Sequence, residues 1–335
     1  YTLWRHRLSA RLGRTGLARG TKNRVMDPGA LANRVIKSQR HLVKWARREG
    51  IEAYRIYDRD IPEFPLAIDR YADWLHVQVF EKKRPLEAAD LEGIQAELAR
   101  CLAIPRQHVV IKHRRRQRGL DQYEKLAADS PSFSVAERGL RFEVNLSSYL
   151  DTGLFLDHRD TRQMIRDRAR DKTFLNLFAY TGSFTVYAAA GGARRSITVD
   201  MSKTYQAWSQ RNLANNGLDD PERHSFVQSD AVAFLQRMRA EGERFDLILL
   251  DPPSFSNSKR MDNTFDVQRD QLSLLGATLE LLAPGGELVF SNNRQSFRLD
   301  PGVLELASVT EISEQTIPVD FRRHTPHRCW LLHRA

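Results

Sequence analysis

The chain has 335 residues, 41% hydrophobic and 28% charged, with 52 Lys and Arg against 42 Asp and Glu for a formal net charge of +10. No run reaches the roughly 18 apolar residues of a membrane-spanning helix, and no signal-peptide pattern opens the chain. The two cysteines and ten histidines form neither a CxxC pair nor a paired metal-ligand pattern, so no metal site is expected. These counts leave a globular protein of about two domains suited to a reducing cytoplasm, expected to be part of a longer chain because it starts at Tyr1.

The basicity is local. Residues 1–50 hold 13 Lys or Arg against two acids, and the remaining 285 hold 39 against 40. Residues 1–30, with Arg5, Arg7, Arg11, Arg14, Arg19, Lys22 and Arg24 among glycines, read as a linker or arm that ends at Asp27, Pro28 and Gly29. From Leu31, the apolar residues Leu31, Val35, Leu42 and Ala46 recur at helical spacing up to Gly50, which fits a left-handed cap. The opposite face carries Arg34, Lys37, Arg40, Lys44, Arg47 and Arg48. Strand-like runs follow at 53–57, 66–71 and 74–80, where Leu75, Val77 and Val79 alternate with His76 and Gln78. A helix near 86–102 and strands near 108–113 and 140–145 complete a small α+β domain over residues 31–150. The segment KHRRRQRG, residues 112–119, brings Arg114, Arg115 and Arg116. With Arg40, Lys44 and Arg47 it forms a candidate RNA-phosphate surface; a solvated helix face and a charged hairpin tip would look the same.

After Leu150 strand runs at 173–178, 196–200, 225–229, 245–250 and 287–291 alternate with helices near 183–190, 202–216, 231–240 and 264–282. That alternation specifies an α/β, Rossmann-like, doubly wound parallel sheet over residues 151–335. Leu272, Leu275, Leu279 and Leu282 mark the packed face of the last helix, and strands at 309–317 and 329–333 close the domain.

In such sheets ligands sit beyond the carboxyl ends of the strands near the switch point, so the residues after each strand matter most. The first strand exits into NLFAYTGSFTVYAAAGGA, residues 176–193, where only Gly182 stands at the turn. That is a poor GxGxxG for a pyrophosphate, whereas S-adenosylmethionine has no phosphate and can be met by one close approach. The second strand ends at Asp200, placed for a ribose diol, with Ser202 offering an N-cap. The third ends at Ser229, Asp230 and Ala231, where the acid suits an adenine amino group or a plain N-cap. The fourth runs into DPPSFSNSKR, residues 251–260. Two acids and a DPP in succession at βαβ spacing point to an S-adenosylmethionine-dependent methyltransferase rather than a nicotinamide enzyme.

KWARREGIEAYRIYD, AIDRYADW, YLDTGLFLDHR, NLFAYTGS, TVDMS, DPPSFSNSKR, FDVQRD and FSNN together resemble one family. It is the class I methyltransferases, and within them the C-terminal RlmK half of the bifunctional 23S rRNA guanine methyltransferases RlmKL, over about Ala32 to Leu332. The resemblance implies a cytoplasmic enzyme making 7-methylguanosine in 23S rRNA or a large-subunit precursor, joined in longer relatives to a second methyltransferase module. It also implies residue roles. GLFLDHR would cover the cofactor, with Phe155, Asp157 and Arg159 in or near the pocket, although Asp157 and Arg159 also fit a helix-start ion pair. Phe178, Tyr180, Thr181 and Gly182 would form the first loop, Asp200, Met201 and Ser202 the ribose side, and Asp230 and Ala231 the adenine edge. Asp251 to Phe255 would be the catalytic loop.

Chemistry separates two products. Cytosine C5 is not nucleophilic, so its methylation needs a cysteine adduct, and neither DPPSFSNSKR nor FSNNRQSF contains a cysteine. Guanine N7 carries a free lone pair and needs only alignment and stabilisation of the positive charge passing to the ring. Asp251 is the candidate for the latter, or it only shapes the loop, and Pro252 and Pro253 would fix the backbone. A base extruded from a helix needs a stacking surface, for which Phe255 is the candidate. Asn257, Ser258, Asn292 and Asn293 are candidate edge partners, with a core role for Phe255 and turns for Asn292 and Asn293 as the plainer readings. A cytosine C5 methyltransferase and a non-catalytic RNA-binding or chaperone protein stay open as alternatives.

Overall fold

A computed structural model describes residues 27–81, 85–114, 132–149, 151–256 and 264–334. The arm before Asp27, Arg115, Arg116, Asn257 and Ser258 lie outside the described residues, and Arg114 is described by its backbone alone.

The first helix, α1 (Pro28–Glu49), starts where Pro28 suits the first turn and the Asp27 carboxylate accepts from the Gly29 amide. It stops at Gly50, whose φ of 63° lets its amide reach the carbonyls of Ala46 and Arg47. Leu31, Ala32, Val35, Leu42 and Ala46 are buried. Strands β1 (Ala53–Asp58), β2 (Leu66–Tyr71) and β3 (Trp74–Phe80) form an antiparallel meander. Helix α2 (Ala88–Leu102) is the crossover to β4 (Val109–Arg114), which pairs parallel with β3. Residues of α1, α2 and this sheet share one apolar cluster.

The hairpin β5 (Phe133–Glu137) and β6 (Leu140–Val144) follows; β5 was not among the expected strands. Its Val135 and Phe142 pack in a cluster with Ala53 and Tyr71 of the first sheet and with Val186, Tyr187 and Leu213 of the next unit. The hairpin therefore lies between the two larger sheets.

Then come α3 (Arg159–Arg168), β7 (Thr173–Leu177), α4 (Ser183–Ala190), β8 (Arg195–Asp200), α5 (Lys203–Ala214), β9 (His224–Gln228), α6 (Ala231–Ala240) and β10 (Phe245–Leu250). A short pair, β11 (Phe255–Ser256) with β12 (Phe265–Asp266), precedes α7 (Val267–Leu279) and β13 (Leu282–Asn292). The chain closes with α8 (Val303–Leu306), β14 (Ala307–Glu311), α9 (Ser313–Thr316) and β15 (Arg328–Arg334). Seven of these strands form one sheet in the order β14-β15-β13-β10-β7-β8-β9. The chain builds outward from β7 through β8 to β9, then restarts at β10 on the other side of β7, so the switch point lies between β7 and β10. Leu247, Ile248, Leu249 and Leu250 are fully buried, as a central strand covered on both faces requires.

Three expectations are corrected here. The sheet is mixed rather than parallel, because β15 runs antiparallel to both β13 and β14. The strand expected at 309–317 ends at Glu311 and gives way to α9, whose Ser313 hydroxyl accepts from the Cys329 amide. The α7 face that packs is Val267, Gln271, Leu274, Leu275, Thr278 and Leu279; Leu272 is exposed and Leu282 already belongs to β13.

Candidate methyl-donor site and its relatives

The loop after β7 is unusual in its backbone. Phe178, Tyr180 and Gly182 all have positive φ, at 57°, 52° and 70°. For the two aromatics that conformation costs about 1–2 kcal/mol each, so the surroundings must hold it. The Ala179 amide donates to Val199 O at 3.0 Å, the Tyr180 amide to Asp200 Oδ2 at 2.9 Å, and Ser209 Oγ to Tyr180 O at 3.1 Å. Tyr180 Oη accepts from the Gly153 amide at 2.9 Å, and Thr181 Oγ1 donates to Gly153 O at 2.6 Å. A Cβ on Gly182 would stand 2.7 Å from Ser209 Cβ, and one on Gly153 2.3 Å from the Trp208 ring. These two glycines let the YLDTGLFLDHR and NLFAYTGS segments lie against each other over α5.

Beyond the strand ends three acids converge. Asp200 Oδ1 also accepts from the Ser202 amide at 2.8 Å. Burial nonetheless pushes its carboxyl up to about 6, opposed by the Ser202 and Tyr180 amides. Asp230 caps α6, accepting from the Ala233 amide at 3.0 Å, so the cap reading is realised while the residue still faces the cavity. Asp251 leaves β10 with its Oδ2 3.5 Å from His158 Nε2. All three line one cavity of about 1400 Å³.

Of the expected site residues, Phe155, Asp157, Phe178, Tyr180, Asp200, Met201, Asp230, Ala231, Asp251, Pro252, Pro253, Phe255 and Asn293 also line this cavity. Phe155 and Phe255 are 41% and 48% exposed there, high for large apolar side chains. Thr181, Gly182 and Ser202 shape the backbone around it without facing it. Asn292 is corrected: it is buried, its Nδ2 donates to Pro252 O at 3.4 Å and its Oδ1 accepts from the Arg294 amide at 2.8 Å, so it braces the DPP loop from behind. Arg40, Lys44 and Arg47 are exposed on α1, away from the cavity lining.

Arg159 is also corrected. It is fully buried and donates to Glu137 Oε2 at 3.0 Å, Asp320 Oδ1 at 2.8 Å and Ala53 O at 2.6 Å. Arg162, likewise buried, grips both oxygens of Glu137, which also accepts from Tyr187 Oη at 2.9 Å. The cluster ties α3 to the hairpin, the first sheet and the short helical turn Val319–Phe321.

Sequence reading missed two parts of the cavity wall. One is supplied by the β1–β4 sheet and the loop after β1: Arg59, His76, Gln78, Phe80 and Lys112 line the same cavity as the strand ends. The alternation of His76 and Gln78 with Leu75, Val77 and Val79 along β3 was visible, but not what that polar face would meet. The other is His158, inside the quoted GLFLDHR segment. Its ring stacks on His327 at 4.2 Å, and Asp157, His158 and His327 each bring a ligand-type atom within 4.8 Å of the others. Every ring nitrogen already has a protein partner: Thr161 and Asp251 for His158, Asp157 and Thr316 for His327.

Neither cysteine lines the cavity. Cys329 is fully buried in β15, where burial pushes its thiol well above the ordinary value, and Cys101 sits half-buried on α2.

Residues 54–315 match the family model described as S-adenosylmethionine-dependent methyltransferase. A relative named ribosomal RNA large subunit methyltransferase K, from Neisseria meningitidis serogroup B, is 51% identical over 311 residues, covering 91% of this chain and 87% of its own. Ribosomal RNA large subunit methyltransferase K/L from Stutzerimonas stutzeri is 49% identical over 92% of this chain but 43% of its own, so the chain spans less than half of that longer relative. A structure assigned as a SAM-dependent methyltransferase from Streptococcus mutans superimposes with a TM-score of 0.71 at 24% identity, over 92% of this chain and 81% of the other, which shows the shared fold. With its sheet order, its switch-point cavity and these matches, the chain belongs to the S-adenosylmethionine-dependent methyltransferase family.

Proposed function

We propose that this chain methylates guanine N7 in the large-subunit rRNA, 23S rRNA or its precursor, with the base drawn into the cavity between the two domains. The names of its relatives K and K/L supply the rRNA class. The reading is carried by one observation: Phe255 stands half-exposed four residues from Asp251 on the same cavity wall, and no cysteine joins them.

The donor site fits its cofactor, since a half-buried carboxylate, Asp200, lines the cavity beside a loop that would clash if Gly182 bore a side chain. Asp200 would hold the ribose, Asp230 and Ala231 the adenine edge, and Phe155, Asp157 and Tyr180 the near wall. S-adenosylmethionine, when bound there, supplies an electrophilic methyl group. What the chain's own residues do is align and compensate. Phe255 offers a face on which a purine stacks, Ser254 Oγ donates to Asn293 Oδ1 at 2.7 Å and fixes the loop beside it, and the Asp251 carboxylate favours positive charge arriving on the ring. N7 carries no proton, so no general base is required. Arg59, whose guanidinium lies 4.7 Å from the Phe80 ring centre, and Lys112 give the opposite wall positive charge suited to the flanking phosphates.

Nucleoside mass spectrometry of large-subunit rRNA incubated with the protein and labelled methyl donor tests the reading. Labelled 7-methylguanosine is expected. Labelled 5-methylcytidine would replace it with the cytosine reaction, and calorimetry without donor binding would favour a non-catalytic RNA-binding protein.

A further inference from the structure

We propose that His158 is a positioning residue for methyl transfer, holding the Asp251 carboxylate toward the cavity as an uncompensated negative charge while the stack on His327 fixes its ring. The proposal rests on the role given to Asp251 under the proposed function.

The geometry is specific. His158 is 4% exposed, its Nε2 stands 3.5 Å from Asp251 Oδ2, and its Nδ1 stands 3.4 Å from Thr161 Oγ1. A neutral imidazole suits both contacts: Nδ1 accepts from the Thr161 hydroxyl, which leaves the ring proton on Nε2, beside the Asp251 carboxylate at 3.5 Å. The second imidazole lies parallel at 4.2 Å, with an interplanar angle of 16°, and is anchored in turn by Asp157 at 3.3 Å and Thr316 at 3.1 Å. The groups facing His158 are Asp251 from the end of β10, His327 from before β15, Asp157 from its own segment, Arg162 from α3 and the Phe184 ring from α4. Burial first, then His327, holds its imidazole below the ordinary value, against the pull of Asp251 and Asp157. His158 thus orients Asp251 near neutral pH without forming an imidazolium that would cancel its charge.

The test measures incorporation of labelled methyl into large-subunit rRNA at saturating donor, from pH 5 to 8.5, for the unaltered chain, His158→Ala, His158→Gln and Asp251→Asn. S-adenosylhomocysteine affinity and thermal melting report on folding. Incorporation is read whichever base is modified, so an error about N7 is separable. His158→Ala is expected to lower kcat at least tenfold at pH 7.5 with KM for RNA and cofactor affinity within about twofold. His158→Gln, which keeps a neutral donor, is expected to recover most of that loss and to abolish the acid-side fall in kcat expected of the unaltered chain. Full activity of His158→Ala, or an acid limb unchanged in His158→Gln, overturns the positioning role. Full activity of Asp251→Asn overturns the Asp251 role and this proposal with it. An inactive Asp251→Asn beside an unaffected His158→Ala overturns this proposal alone.

Discussion

The Tyr180 amide donates to the Asp200 carboxylate at 2.9 Å, which couples the strained turn after β7 to the acid at the end of β8. One carboxylate oxygen thus holds a left-handed tyrosine in place, and the other takes the Ser202 amide. The ribose contact proposed for Asp200 and the turn geometry rest on the same group.

Cofactor affinity is therefore expected to track the ionisation of Asp200. With its carboxyl raised to about 6 in the folded protein, the anion proposed to accept ribose hydroxyls is lost as pH falls through that value. Calorimetry with S-adenosylhomocysteine is expected to show affinity rising from pH 5 to 7 and levelling above. Asp200→Asn should weaken binding roughly 10- to 100-fold at pH 7.5, as for lost hydrogen bonds to a charged group of about 1.5–3 kcal/mol, and flatten the pH dependence. An unchanged titration would remove Asp200 from the donor site.

Phe255 lines the cavity half-exposed and belongs to none of the apolar clusters among the described residues. Phe255→Ala should lower kcat/KM for RNA by about 10- to 100-fold, since base–aromatic stacking is worth about 1–3 kcal/mol, while S-adenosylhomocysteine affinity stays within twofold. Equal losses in both would assign Phe255 to the cofactor instead.

Glu137 is expected to be a stability residue. Burial would raise its carboxyl, but Arg162 and Arg159 outweigh that and hold it below the ordinary value. The contribution is accordingly present above the unfolded-state carboxylate value and lost as pH falls through the folded one. Glu137→Gln leaves the buried Arg162 guanidinium without its counter-charge and Arg159 with Asp320 alone, so urea unfolding should show about 3–5 kcal/mol less stability. A loss below 1 kcal/mol would show that the cluster relaxes around the change.

The exposed row on α1 is expected to act through phosphates. Replacing Arg40, Lys44 and Arg47 together by Gln should weaken RNA binding and reduce the slope of log K against log salt by about 2, because roughly 0.7 counterions are released per contact to a single strand. A slope that does not move would place RNA elsewhere on the protein.

Much of this was legible in the sequence because local chemistry decides it. Helical spacing from Leu31 and a glycine at position 50 set α1 whatever the rest of the chain does, and apolar runs such as FDLILL set central strands because only two covered faces accept them. The acids after β8, β9 and β10 were readable for the same reason: a doubly wound sheet brings its carboxyl ends to one edge. The tertiary structure alone decided which neighbours those residues meet. Arg159 and Asp157 are two residues apart in one motif, yet Arg159 turns into a buried cluster with Glu137 and Asp320 while Asp157 faces the cavity. Asn292 and Asn293 are adjacent and divide in the same way across the strand end, one inward and one outward. His158 meets His327, 169 residues further on, only because β15 folds back beside β13. Sequence fixes the residues available at each strand end; long-range packing, which no local pattern encodes, fixes which of them reach the cavity and which hold it in shape.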